Sequence, residues 1–132
     1  MLVDTNVLSE LPKPRPSARV VGWLATQGTV HISVVTLEEI SFGIARATPK
    51  VRAGLAQWFD QFLDSRPTLL DVTAAIARAS GELRAAKESH GRPVDQADML
   101  IAATALTHGL TLATRNTRHF TDCGISLFNP FE

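Results

Sequence analysis

The amino-acid sequence predicts an α/β protein with a mainly parallel sheet of four to five strands and helices on both faces. Short apolar runs rich in β-branched residues alternate along the chain with longer segments of helical periodicity. Strands separated by helices favour parallel pairing, because a parallel connection needs a crossover. A chain of 132 residues, 45% hydrophobic, can bury a sizeable core, and its length predicts a single domain over residues 1–132.

Five apolar runs are predicted to form the strands. They are bounded by Gly, Pro or small polar residues, which is typical of buried strands. In chain order, the predicted strands occupy residues 2–3, 30–35, 68–72, 110–113 and 125–128.

Five segments with apolar residues at helical spacing are predicted to form helices. Ser17 and Thr73 are suited to cap two of them, and Thr36 with Glu39 matches a capping box. Residues 13–16 and 114–120 are predicted loops. With their capping and terminating residues, the predicted helices occupy residues 17–28, 36–49, 51–63, 73–91 and 95–109.

The composition excludes several classes of protein. With 13 basic and 13 acidic residues, the chain has no global positive field for binding nucleic acid, so any such contact must be local. The single cysteine, Cys123, excludes an internal disulfide and a cysteine-based zinc site. No apolar run approaches the ~18 residues of a membrane span, and no signal peptide is recognisable. A cytoplasmic location is therefore expected.

Three acidic residues are predicted to meet at one end of the sheet. Asp4 ends the first strand, and Glu39 is expected in the first turn of the helix after the second strand. Asp98 shares a helix face with apolar residues, where an unpaired carboxylate is costly. Carboxyl ends of parallel strands open onto the crevice where α/β proteins bind ligands. Three carboxylates there suit a hard cation, Mg²⁺ or Mn²⁺.

Helix capping is the alternative for each acid. Asp4 can cap the segment that follows it, Glu39 can complete a capping box, and Asp98 can assist an N-cap at Asp95. Glu38 points away from the apolar face of its helix and is expected to be solvated.

The sequence resembles the PIN-domain ribonucleases in several segments taken in order. They are the segment from Leu2 to Glu10, the segment from Ser33 to Ile40, the segment from Asp98 to Ala105, the segment from Thr114 to Phe120 and the ending Asn129-Pro130-Phe131. Within that family it is most similar to the VapC toxins of bacterial toxin–antitoxin pairs, of the FitB-like kind. The resemblance runs nearly end to end and implies a single PIN-like domain.

The resemblance implies a metal-dependent endoribonuclease in which Asp4, Glu39 and Asp98 bind Mg²⁺ or Mn²⁺. It also implies an RNA substrate, an antitoxin partner that blocks the site, a homodimer that can form a hetero-oligomer with the antitoxin, and no membrane. The family commonly has a fourth acid near residues 114–116. Here Asn116 and His119 occupy the candidate positions. Asn116 is assigned to the catalytic set because it can ligate a metal through its oxygen or through a water, and one tight and one weak metal position are expected.

Five residues around these acids are predicted to bind the substrate. Arg115 and Arg118 are suited to hold backbone phosphates. Thr5 and Asn6 follow Asp4 directly, and His119 lies in the same segment as the two arginines. Two other functions remain open. One is a catalytically silent α/β binding module whose acids serve as helix caps. The other is a small phosphatase-like phosphoryl-transfer domain, which would want a second acid close behind Asp4.

Overall fold

The computed structural model describes residues 1–132 and contains one sheet of five parallel strands in the order β3-β2-β1-β4-β5. The predicted parallel α/β architecture is therefore confirmed. The strands are β1 (Leu2–Val3), β2 (His31–Ser33), β3 (Thr68–Leu70), β4 (Leu112–Ala113) and β5 (Leu127–Phe128).

Six α-helices and one short 3₁₀ helix connect the strands. The α-helices are α1 (Thr5–Leu8), α2 (Ala18–Thr26), α3 (Val34–Arg46), α4 (Pro49–Asp64), α5 (Ala74–Ser89) and α6 (Gln96–His108). The 3₁₀ helix covers Thr117–Phe120, inside the segment predicted as a loop. None of the helices has the length and apolar character needed to cross a bilayer.

The two faces of the sheet carry separate hydrophobic cores. Successive side chains of a strand point to opposite faces, and the fully buried neighbours Leu2 and Val3 of β1 belong to different cores. Leu2 packs with α6 residues such as Ile101, whereas Val3 packs with Ile40 of α3 and Phe59 of α4. Both faces are therefore covered, as the sequence predicts.

The start of α3 differs from the sequence prediction. Val34 and Val35 were expected in the strand, but Ser33 ends β2 and caps α3, accepting a hydrogen bond of 3.0 Å from the backbone N–H of Val35. A serine at this position satisfies a free N–H of the first turn, which outweighs the β preference of the two valines. The capping box at Thr36 and Glu39 is therefore wrong, and Glu39 lies in the second turn rather than the first.

Strand order places β1 at the topological switch point of the sheet. The chain passes from β1 outward to β2 and β3, and then returns to add β4 and β5 on the other side of β1. In open α/β sheets, the crevice beyond the carboxyl ends of the strands at this point is where ligands bind. Asp4 follows β1 directly and so lies at the mouth of that crevice.

Candidate functional site

Asp4 is held in the crevice by hydrogen bonds to both of its carboxylate oxygens. Its side chain is buried, with 4% of the residue exposed. Oδ1 accepts from the backbone N–H of Thr5 at 2.8 Å, so Asp4 also caps α1. Oδ2 accepts from the Thr114 hydroxyl at 2.8 Å and from the Asn6 amide at 3.2 Å. Asp4 therefore caps the four-residue helix α1 with one oxygen, while its other oxygen is held by side chains of the crevice.

Glu39 is joined to Asp4 through their common neighbour Thr5. The Thr5 hydroxyl donates to Oε1 of Glu39 at 2.7 Å and lies 3.0 Å from the Thr36 hydroxyl. Thr36 is fully buried in the first turn of α3, where it contacts the Thr5 hydroxyl instead of capping the helix. Glu38 is exposed, as expected for a solvated residue.

Asp95, and not Asp98, caps α6. The Asp95 carboxylate accepts from the N–H groups of Ala97 at 2.8 Å and of Asp98 at 3.4 Å, which makes Asp95 the N-cap of α6. The Asp98 carboxylate instead lies 3.0 Å from Nδ1 of His119. The end of α6 also agrees with the prediction, because Gly109 adopts the left-handed conformation (φ 64°) that closes a helix.

Burial and mutual repulsion raise the pKa of all three acids. Burial is the largest cause in each case, because it disfavours the charged form. The charge of Asp98 raises the pKa of Asp4 further, while that of Asp4 acts on Glu39 and that of Glu39 acts on Asp98. Hydrogen bonds from Thr114 and Thr5 oppose the shift at Asp4. The three carboxylates therefore form one electrostatic cluster with excess negative charge.

The donor chemistry of this acid cluster, Asp4, Glu39 and Asp98, fits a divalent cation. In the present arrangement no three His, Cys, Asp or Glu side chains lie close enough together to enclose a metal ion. Glu39 and Asp98 direct an oxygen to Thr5 and His119 instead. Oxygen-only donors with raised pKa values are those that a hard cation would stabilise in the charged form.

The segment after β4 is attached to the crevice by Asn6 and Thr114. Oδ1 of Asn6 accepts from the backbone N–H of Arg115 at 3.1 Å, and the Thr114 hydroxyl accepts from the N–H of Asn116 at 3.1 Å. The Arg115 guanidinium stacks 4.6 Å from the centre of the Phe131 ring. These contacts hold the backbone of Arg115 and Asn116 next to the two residues that contact Asp4.

An open polar cavity of about 390 Å³ lies along this segment. It is lined by Arg115, Asn116, Thr117, Arg118, His119, Asn129 and Glu132, none of them apolar. His119 reaches both this cavity and Asp98, whereas Asn116 contacts Thr114 through its backbone only. The structure thus brings His119, but not the Asn116 side chain, into contact with one of the three acids.

Sequence reasoning missed Thr114, the buried residue that fixes Asp4. A signal was available, because Thr114 follows β4 as Asp4 follows β1, and parallel pairing aligns Val3 with Ala113. Residues that follow paired parallel strands are neighbours. Thr36 was missed because its position matched a capping box.

Comparison with known proteins gives the chain a family context. The model of the family described as "PIN domain" matches residues 1–124. The VapC ribonuclease Y4jK of Sinorhizobium fredii (strain NBRC 101917 / NGR234) is 34% identical, over 100% of this chain and 98% of that protein.

Two solved structures resemble the whole fold. A crystal structure of FitAcB from Neisseria gonorrhoeae has a TM-score of 0.90 and 34% identity, covering 99% of this chain and 98% of that chain. A toxin–antitoxin complex from Klebsiella pneumoniae has a TM-score of 0.77 and 27% identity, covering 99% of this chain and 98% of that chain.

Proposed function

The chain belongs to the PIN-domain family, and from this premise we propose that it is a metal-dependent endoribonuclease, the toxin of a type II toxin–antitoxin pair. The observation that supports the activity most directly is the acid cluster at the carboxyl end of β1. The sequence relative named as a ribonuclease matches across the entire chain. The substrate is RNA, and the bond cleaved is a phosphodiester.

Asp4, Glu39 and Asp98 are the proposed ligands of Mg²⁺ or Mn²⁺. When bound, the divalent ion activates water and offsets the charge that develops on the phosphate. Asp4 is the most firmly positioned ligand, because Thr5, Asn6 and Thr114 hold both of its oxygens. Thr5 orients Glu39, and His119 orients Asp98. All three acids act in the charged form.

The proposed substrate-binding residues are in the segment after β4 and in the polar stretch that follows Asp4. Arg115 and Arg118 line the open polar cavity and are the proposed ligands of backbone phosphates. Thr5 and Asn6 keep Glu39 and the Arg115 backbone in place. Sequence-independent attraction of this kind weakens as salt rises, since bound phosphates release their counterions.

We propose one tight metal position and one weak one. Three acids supply about three negative charges, which hold one divalent ion well, whereas a second ion nearby meets the repulsion of the first. Asn116 stays in the proposed catalytic set as a neutral oxygen ligand of the weak position. His119 is neutral or positively charged, so neither residue supplies the missing charge.

The proposed partners follow from the family and from the solved complexes. A cognate antitoxin covers the acid cluster, the chain forms a homodimer that combines with the antitoxin, and the pair acts in the cytoplasm. The cluster has excess negative charge before metal binds, so an arginine of the antitoxin is the side chain that suits it best.

Cleavage of structured RNAs by the purified chain tests the activity. We expect cleavage with Mn²⁺ or Mg²⁺ and none in EDTA. Asp4→Asn, Glu39→Gln and Asp98→Asn should each lower the rate on the order of a hundredfold or more, because each removes a charge from the cluster. Glu38→Gln, one residue away on the exposed side of α3, is the matched control and should remain active.

Two results would contradict this proposal. Cleavage that persists in EDTA would remove the metal from the reaction. Equal losses for Glu38→Gln and Glu39→Gln would mean that the wrong acid is assigned. Calorimetric titration of Mn²⁺ into the wild type should show one tight site, and two sites of similar affinity would refute the proposed weak position.

A further inference from the structure

A second cavity borders Asp98 and shares Arg118 and His119 with the open polar cavity. Its volume is about 500 Å³, within the size range of small-molecule sites. The lining combines two acids of α6 with four basic residues from three other segments: Lys87, Arg92, Pro93, Val94, Asp95, Asp98, Met99, Arg118 and His119. We call it the Lys87 cavity.

Lys87 is the unusual residue of this cavity. Only 7% of the residue is exposed, yet its ammonium takes part in none of the ion pairs of the chain, which are Lys13–Glu10, Arg92–Asp122 and His119–Asp98. No side-chain hydrogen bond to a protein group involves it either. The aliphatic stem of Lys87 is packed, whereas its ammonium keeps contact with accessible space, because it is not among the fully enclosed polar atoms that lack a partner.

The position of Lys87 in the last turn of α5 does not account for its burial. A cation there is favoured by the helix dipole, but an exposed lysine obtains that benefit while its ammonium stays hydrated. Lys87 instead lines both the Lys87 cavity and an adjoining cavity of about 330 Å³, and so faces space between elements.

Arg92 and Arg118 add positive charge around the same space. Arg92 is fixed at the rim by Asp122 (3.3 Å) and by the Thr121 hydroxyl (3.3 Å), with half of its side chain exposed. Arg118 forms no ion pair and lines both this cavity and the open polar cavity. Of the acids, Asp95 is engaged as the N-cap of α6, and Asp98 belongs to the acid cluster.

We propose that the Lys87 cavity binds a phosphate of the RNA that flanks the cleaved one, with Lys87, Arg92 and Arg118 as its ligands. This inference rests on the proposed ribonuclease function. The cavity shares Asp98 with the acid cluster. An RNA strand whose cleaved phosphodiester lies at the cluster therefore continues directly into the cavity. Lys87 then sets the direction and register of the strand without touching the bond that breaks.

Binding of RNA in EDTA tests the inference apart from cleavage. The probe is a fluorescein-labelled single-stranded uridine 12-mer, followed by fluorescence anisotropy over a range of salt concentrations. Lys87→Met keeps the length of the side chain and removes the charge. We expect it to weaken binding on the order of tenfold and to reduce the salt slope by about 0.7, the value for one phosphate contact on a single strand.

Two matched variants isolate the charge of Lys87. Lys87→Arg keeps a cation in the cavity and should retain most of the affinity and the salt slope. Lys50→Met removes an exposed lysine of α4, on the other face of the sheet, and should behave as wild type. The midpoint of thermal unfolding, Tm, of Lys87→Met should stay close to that of the wild type, because methionine keeps the packed length of the side chain.

The outcomes separate this inference from the proposed function. If the wild type cleaves RNA with Mn²⁺ but Lys87→Met and Lys50→Met bind the 12-mer equally well, the phosphate site is refuted and the nuclease stands. If Lys87→Met weakens the antitoxin complex but not RNA binding, the cavity serves a protein partner and the inference is again overturned. Failure of the wild type to cleave any RNA would instead refute the proposed function.

Discussion

Two threonine hydroxyls position two of the three acids in the cluster. Thr114 donates to Asp4 and Thr5 donates to Glu39, and both acceptors are buried or half-buried carboxylates. Hydrogen bonds to a charged acceptor are stronger than neutral ones and favour its charged form. Burial acts in the opposite direction and prevails, because the pKa of each acid stays above its ordinary value. The cluster is therefore electrostatically strained whenever metal is absent.

Glu39→Gln should stabilise the metal-free protein at high pH. The pKa of Glu39 is raised in the folded state, so its favourable contribution is complete below its ordinary pKa of 4.5 and is lost as pH rises through the higher folded value. In EDTA at pH 8 we expect the variant to melt on the order of 2 °C above the wild type. At pH 4 the two should agree, because Glu39 is then largely neutral in both states.

Thermal unfolding monitored by circular dichroism measures this difference. Glu38→Gln is the control, since Glu38 is exposed and its charge is screened by solvent. Saturating Mn²⁺ should reverse the order of the two proteins, because the wild type then gains binding energy in the folded state. A variant that is less stable than the wild type in EDTA at pH 8 would mean that Glu39 is not under repulsion.

At the scale of elements, the junction between β2 and α3 decides which acid enters the crevice. Ser33 ends the strand and caps the helix, so α3 begins three residues earlier than a cap at Thr36 would imply. With this start Glu39 turns toward Thr5, and Glu38 turns toward solvent. Thr36, no longer a cap, is buried beside Thr5.

Ser33→Ala should destabilise the protein by about 1 kcal/mol, the usual cost of losing an N-cap side chain. The reason is that the N–H of Val35 loses its acceptor, which lies 3.0 Å away in the wild type. Equilibrium unfolding in urea gives the difference in the free energy of unfolding. Ser41→Ala, an exposed position inside the same helix, is the control and should be neutral or slightly stabilising. Equal changes in the free energy of unfolding for Ser33→Ala and Ser41→Ala would mean that Ser33 does not cap α3.

Much of the architecture could be predicted from local patterns, and the exceptions have a common cause. Ser17, Thr73 and Asp95 cap helices as expected, and Gly109 ends α6. The errors at Val34, Thr36 and the 3₁₀ helix occur where two local signals compete and packing decides between them. Spacing alone cannot place Lys87 in a cavity, because its neighbours Arg92 and Arg118 come from other segments.

For the whole molecule, strand order brings the acids together from distant parts of the chain. Asp4 follows the central strand, Glu39 lies on a helix of one face, and Asp98 lies on a helix of the other. The crevice between them is open to a partner as well as to a substrate. An inhibitor that inserts a cation there would occupy the position that we propose for the metal.

Antitoxin inhibition should therefore compete with metal. We expect that raising Mn²⁺ increases the antitoxin concentration needed for half-inhibition of RNA cleavage, because both ligands require the same carboxylates. Initial rates measured over a matrix of Mn²⁺ and antitoxin concentrations test this. Replacing Mn²⁺ by an equal ionic strength of NaCl controls for screening. Half-inhibition that does not change with Mn²⁺ would mean that the antitoxin blocks the crevice without entering it.

During protein synthesis, the order in which the strands emerge from the ribosome delays assembly of the cluster. The central strand β1 is made early, but its partner β4 and the hydroxyl that holds Asp4 come 110 residues later. Contacts between such distant residues form late in folding. A nascent chain shorter than residue 114 therefore cannot assemble the nuclease site on the ribosome that is making it.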